Sequence, residues 1–246
     1  MTRNIYTLAS PHRFVKLSGT ALPFLSVIAF AVLAYGLWLV FFVAPDDYQQ
    51  GASVKIMFLH VPSAWIAMSC YTLMASAAIG TLVFRHPLAD ITAKAAAPIG
   101  ATFTFICLTS GSLWGKPMWG TWWVWDARLT SVLILFIMYL ALIALWLARE
   151  DFSRAARSVA ILTLAGFINI PIIKFSVDWW NTLHQPASVL KMSGPSIHPS
   201  LLTPLLVMAL AFTLIFIVLL LMRMRAEILR RRLFTLQIKK AYGDAA

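Results

Sequence analysis

With 246 residues, 61% of them hydrophobic, only 12% charged and a mean hydropathy of +0.81, the chain carries about half the charge of a soluble globular domain. This composition excludes a soluble enzyme or nucleic-acid module and predicts an all-α integral membrane protein. The net charge of +11 then reads as membrane topology and contact with anionic lipid, with no nucleic-acid partner.

A spanning helix needs roughly 20 mainly apolar residues. Six stretches supply them within a single membrane domain, 1–246: about 20–43, 61–84, 95–113, 129–148, 158–175 and 200–222. Basic residues precede the first stretch, which is too long for a signal-peptide core and is expected to remain as an uncleaved span. Pro62 stands in the first turn of the second span, where a missing N–H costs little. The third is rich in Ala, Gly, Ser and Thr, which suits close helix packing and predicts a central place in the bundle. Arg149, Glu150 and Asp151 are expected to stop the fourth. Asn169 and Pro171 fall in the fifth, where a kink at Pro171 is expected. The sixth runs into a basic tail, 223–246, which could continue the helix and lie on anionic lipid or dock a cytoplasmic subunit. Cys70 and Cys107 lie in apolar runs without C-x-x-C spacing and read as small packing residues.

Six spans place both termini on one side. Lys and Arg on that side number 15, against five on the other: Lys55, Lys116, Arg128, Lys174 and Lys191. The positive-inside bias predicts cytoplasmic N- and C-termini and an outer position for the link 114–128. That link, WGKPMWGTWWVWDAR, holds five of the ten tryptophans: Trp114, Trp119, Trp122, Trp123 and Trp125. One or two interfacial tryptophans per helix end are ordinary; five around Gly115, Pro117 and Gly120 exceed what an anchor requires. If the segment from Trp119 onward is helical, Trp119, Trp122, Trp123 and Asp126 share one face. That face would be an aromatic shelf for something large, flat and apolar.

Three of the five histidines fall on the same outer side. His60 stands at the mouth of the second span, while His184 (within DWWNTLHQP, beside Trp179 and Trp180) and His198 lie between the fifth and sixth. A lone histidine at a helix end is ordinarily a surface residue. Two converging on a tryptophan cluster point to haem, whose iron takes axial side chains while the pocket grips the macrocycle. Arg128, Lys116, Lys55, Lys174 and Lys191 are available to its propionates, although any one of them alone reads as a snorkelling interfacial residue. Asp126 is expected to orient Arg128 or a tryptophan N–H. No P-loop, nucleophile elbow or H-E-x-x-H is present, and carboxylates are almost absent within the spans, which argues against a proton-driven carrier.

WGTWWVWD, 119–126, resembles the W-G-x-x-W-x-W-D signature of the haem-handling WWD family, with Trp119, Gly120, Trp123, Trp125 and Asp126 at the signature positions. Six spans and the two outer histidines are similar to its small branch, cytochrome c maturation protein C (CcmC), and to its enterobacterial members in particular. The resemblance implies haem b, with His60 and His184 as axial iron ligands and the signature residues binding haem; Trp114, Trp122 and Arg128 lie alongside. It also implies a bacterial inner-membrane location, with the haem site on the periplasmic face. There the chain would present haem to a membrane-anchored haem chaperone (CcmE). The implied partners are an ATP-binding-cassette ATPase and its membrane subunit (CcmA, CcmB) and a small single-span protein (CcmD), so ATP hydrolysis is expected in a partner and the chain itself is not expected to be an enzyme. Two other readings remain open: a permease that itself carries haem across the bilayer, and a scaffold that binds no haem. His198 could replace either ligand.

Overall fold

Apolar runs of this length satisfy their backbone groups in a bilayer by coiling into helices, and the chain folds accordingly. The computed structural model describes residues 10–148, 152–186, 188–189, 191 and 194–243, with no strand among them. Ser10 starts α1 (Pro11–Trp38): its side chain accepts a hydrogen bond from the Arg13 N–H at 3.3 Å, with proline in the first turn. A π-helical turn, Leu39–Val43, extends α1. A short 3₁₀ turn, Ala52–Ile56, leads into α2 (Met57–Leu82), followed by α3 (Ala89–Trp119) and α4 (Ala127–Leu147). The fifth span is two helices, α5 (Phe152–Gly166) and α6 (Asn169–Trp179), and the sixth is α7 (Pro199–Gly243).

Among the described residues, six helical segments are therefore long and apolar enough to cross a membrane. Large side chains such as Phe24, Phe30 and Ile137 point outward, as lipid-facing residues do. The helices run past the expected spans, most clearly at the tryptophan link: α3 continues through Trp114 and Pro117 to Trp119, so only residues 120–126 are non-helical. The single helical shelf expected from Trp119 onward does not form. The expected stop at Arg149, Glu150 and Asp151 lies outside the described residues.

The small-residue span is central as expected, with 61% of its α3 window buried against 22% for α1. Ala93, Ala96, Ala97 and Ala101 are buried along α3, and α2 packs against it. Gly100 gives up its Cβ to the ring of Tyr139 on α4, whose hydroxyl donates to the Ala67 carbonyl at 2.8 Å. Both cysteines are buried and free. In the fifth span the break falls at 167–168, ahead of Pro171. Pro171 then lies in the first turn of α6, where its missing N–H is tolerated, and the Asn169 side-chain amide donates to the Ser131 carbonyl at 2.9 Å.

As far as Gly243 the basic tail continues the sixth helix without interruption. Four of its cations turn inward to neighbouring groups. Arg223 donates to the Ala95 carbonyl at 3.1 Å, and Arg225 to the Val15 carbonyl and the Ser18 hydroxyl. Arg230 and Arg231 bind Glu227, each at 2.8 Å, while Lys94 reaches the same carboxylate at 3.1 Å and Arg231 also pairs with Asp90 at 2.6 Å. The tail is thus fastened to α1 and α3. Its farther cations, Arg232, Lys239 and Lys240, are exposed for the expected lipid contact, as are Arg223 and Arg230 beyond the groups they bind.

Gly100→Ala is expected to lower stability by about 1–3 kcal/mol, the usual cost of overpacking a full core. SDS-titrated loss of helicity in mixed micelles measures it, with Gly80→Ala, where the new Cβ meets only a methyl at 3.1 Å, as the milder control.

Candidate functional site

At the end of the bundle that carries the tryptophan link, α2, α3, α4, α6 and residues 184–186 and 188–189 line a cavity of about 420 Å³, within the ordinary range for small-molecule sites. His60, Trp114, Trp119, Trp123, Arg128 and His184 all line it.

His60 lies in the first turn of α2, but Pro62 does not: the helix starts at Met57, ahead of the expected span, so Pro62 is its sixth residue and leaves the Phe58 carbonyl without an i→i−4 donor. Its Nδ1 sits 3.0 Å from the Cys107 carbonyl and 3.1 Å from the Ser110 hydroxyl oxygen. That hydroxyl already donates to the Ile106 carbonyl at 2.6 Å, so both neighbours face Nδ1 as acceptors. The proton therefore belongs on Nδ1, which leaves the Nε2 lone pair free. Gly111 makes room for the ring: a Cβ there would lie 2.8 Å from His60 Cε1.

His184 comes from the irregular segment after α6, and its ring centroid lies 6.2 Å from that of His60 with 30° between the planes. Burial, then the nearby Arg128 guanidinium, push its pKa below the usual imidazole value of 6.5. A lowered pKa favours the uncharged ring, so His184 is neutral at pH 7 and its lone pair is available. Among the described residues no three His, Cys, Asp or Glu side chains gather as a metal cage.

The tryptophans divide into two groups. Trp114 packs edge-on against His60 at 5.8 Å, with its indole N–H donating to the Gln50 side-chain carbonyl at 3.0 Å. Trp119 lies 6.0 Å from His184. The Trp123 indole N–H is buried without a hydrogen-bond partner, an anomaly that a bound acceptor would resolve. Trp122 and Trp125 stand outside the cavity wall and are largely exposed, Trp125 packing on Trp123 at 5.5 Å.

Gly120 and Asp126 also lie outside the wall, and local structure accounts for both. Gly120 ends α3 at φ 76°, a left-handed conformation that favours glycine although a Cβ there would meet nothing. Asp126 caps α4, Oδ1 accepting from the Leu129 N–H at 2.7 Å, and Oδ2 accepts from the Thr182 hydroxyl. Neither expected partner, the Arg128 guanidinium or a tryptophan N–H, hydrogen-bonds to it; Arg128 Nε donates to the Ser176 hydroxyl at 2.7 Å.

Of the five outer cations, Arg128 and Lys174 line the cavity. Lys55 pairs with Asp46 at 3.6 Å and Lys116 donates to the Gly120 carbonyl at 3.0 Å. His198 is exposed and bonded to the Ser200 hydroxyl at 2.8 Å, away from the cavity. Sequence reasoning missed Ser110, Gly111, Ser176, Thr182 and Gln50. Only the G-x-x-x-G formed by Gly111 and Gly115, a close-packing pattern, gave any signal.

The chain matches the family described as "CcmC: Heme exporter protein C" over residues 4–239. It is 64% identical over 234 residues to the "Heme exporter protein C" of Bradyrhizobium diazoefficiens, covering 95% of this chain and 89% of that protein. The Escherichia coli K12 protein of the same name is 48% identical over 229 residues (93% and 92%), and that of Paracoccus denitrificans 44% over 235 (95% and 97%). The likeness to enterobacterial members in particular is thus exceeded by the Bradyrhizobium protein. On the matched length and these identities, the chain belongs to the CcmC, or heme exporter protein C, family.

Proposed function

We propose that the chain holds haem b in this cavity, with His60 and His184 as axial iron ligands, and presents it to a CcmE-type membrane-anchored chaperone for covalent loading in c-type cytochrome maturation. The observation that carries the reading is the histidine pair. An imidazole nitrogen lies about 2 Å from a bound metal and about 1 Å from its own ring centre, so two rings on opposite sides of one iron have centroids about 6 Å apart. The separation here is 6.2 Å, and both rings offer a free lone pair.

Trp114, Trp119 and Trp123 supply aromatic surface for the macrocycle, and Arg128 and Lys174 supply charge for its propionates. Exposed Trp122 and Trp125 beside the site suit contact with the chaperone, as aromatic anchors do. Gly120 and Asp126 act by shaping the loop. The chain binds and orients, and the reactivity belongs to haem and to the chaperone; it is a subunit of a haem-export complex and not an enzyme. The names of its relatives favour such a complex. CcmA, CcmB and CcmD are its expected members, with ATP hydrolysed in CcmA. The excess of 15 cations over five at the opposite end of the bundle favours the periplasmic face of the bacterial inner membrane for the site.

The cavity's closed floor argues for presentation over passage through this chain. One turn below its deepest residues, Tyr71 and Tyr139 meet edge-to-face at 5.4 Å and are fully buried.

Detergent-purified protein should show a Soret band and six-coordinate spectra, oxidised and reduced. His60→Ala and His184→Ala should shift or abolish these bands, and His198→Ala should leave them unchanged. Wild type that takes up no haem would put the scaffold reading first. Gly111→Val, which drives a branched side chain into the His60 ring, should weaken haem binding roughly 10- to 100-fold, in line with disturbed support of a metal ligand; haem titration followed at the Soret maximum measures it. Trp125→Ala should keep the haem spectrum while cutting covalent loading of the chaperone at least about fivefold, the effect of losing one exposed aromatic anchor worth ~1 kcal/mol.

A further inference from the structure

The carboxylate that ends the tryptophan signature does not touch the cavity, yet it is joined to one of the histidines. Asp126 Oδ1 accepts from the Leu129 N–H at the start of α4, and Oδ2 accepts from the Thr182 hydroxyl. The same Thr182 oxygen accepts from the His184 backbone N–H at 3.1 Å. A hydroxyl has one proton to give and lone pairs to receive, so the carboxylate fixes which way the hydroxyl points and leaves its lone pair for His184.

The segment needs such a fixing point. Residues 180–186 carry no regular secondary structure. The Trp180 N–H bonds back to Ser176, and the His184 ring nitrogen reaches only the adjacent Gln185 carbonyl, at 3.5 Å. Among the described residues, the Thr182 hydroxyl makes the one side-chain hydrogen bond that joins residues 180–186 to another helix. A metal ligand must be held within about 0.5 Å to work, and contact of the His184 ring with Trp119 at 6.0 Å sets no backbone position.

We propose that Asp126 and Thr182 are positioning residues for His184: the relay of Asp126 carboxylate, Thr182 hydroxyl and His184 backbone N–H holds the loop so that the imidazole faces His60 across the cavity. The proposal rests on the haem reading and assigns the signature aspartate a role apart from contact with haem. It also accounts for a tryptophan motif and a distant histidine forming one site, since the last residue of the motif fastens the loop that carries the histidine.

The test uses the purified full chain titrated with haem, comparing wild type, His184→Ala, Thr182→Val, Thr182→Ser and the double variant Thr182→Val/His184→Ala. Thr182→Val keeps the shape and removes the hydroxyl; Thr182→Ser restores it. Thr182→Val should weaken haem binding roughly 10- to 100-fold and move the spectrum toward that of His184→Ala. Thr182→Ser should behave as wild type. The double variant should bind no more weakly than His184→Ala, and added imidazole should restore the six-coordinate spectrum in both Thr182→Val and His184→Ala. Helicity and gel-filtration profile, unchanged in all, exclude a folding defect. A wild-type spectrum and affinity for Thr182→Val, beside an altered His184→Ala, overturn the relay alone. Additive losses in the double variant do the same. Wild type that takes up no haem, or an unchanged His184→Ala, overturns the haem reading and the relay with it.

Discussion

Water does not push helices together in a bilayer, so their association depends on how closely backbones and side chains can meet. Between α2 and α3 that approach is set by buried alanines and by glycines at the points of contact. On α3, Gly100 admits Tyr139 of α4, and nearer the cavity Gly111 admits the ring of His60 of α2. Once the ring is there, the Cys107 carbonyl and Ser110 hydroxyl settle its proton. The same small-residue packing thus fixes the bundle and the protonation of the His60 ring.

Burial has opposite consequences for the two kinds of group around the cavity. For His184 it favours the uncharged ring, which a metal requires. For the half-buried Arg128 it creates a demand for anions in surroundings where a charge is weakly screened. The Ser176 hydroxyl answers one donor of Arg128 and turns the guanidinium in place. A dianionic, flat, aromatic cargo satisfies the tryptophans, the cations and the histidines together, which separate apolar or anionic ligands would not.

The spans could be read from the sequence because apolar length and cation placement are local properties summed over many residues. The ends of the helices were less legible. α3 runs six residues into the tryptophan link because aromatic side chains suit a helix at the membrane surface as well as a loop, and the stop comes only where Gly120 adopts positive φ. The sign of that stop, a glycine after a helical run, was present in the sequence, as was Asp126 as a cap. Both were instead read as haem-binding residues because the family signature contains them. The His60 contact with Cys107, 47 residues away, and the Asp126 contact with Thr182, 56 residues away, are products of tertiary packing and leave no local pattern. The break in the fifth span was expected at Pro171, but it falls ahead of the ring, whose clash and missing N–H are felt by the preceding turn.

The final helix has a mechanical consequence. At 45 residues and about 1.5 Å per residue it measures about 67 Å, roughly twice the hydrocarbon thickness of a bilayer. Its helical run is unbroken from Pro199 to Gly243, and Arg223 and Arg231 clamp it to α3, the helix that bears Trp114 and Trp119. It is a lever whose fulcrum is this double clamp. A pull on its projecting end would load α3 directly and reach the cavity wall through that helix.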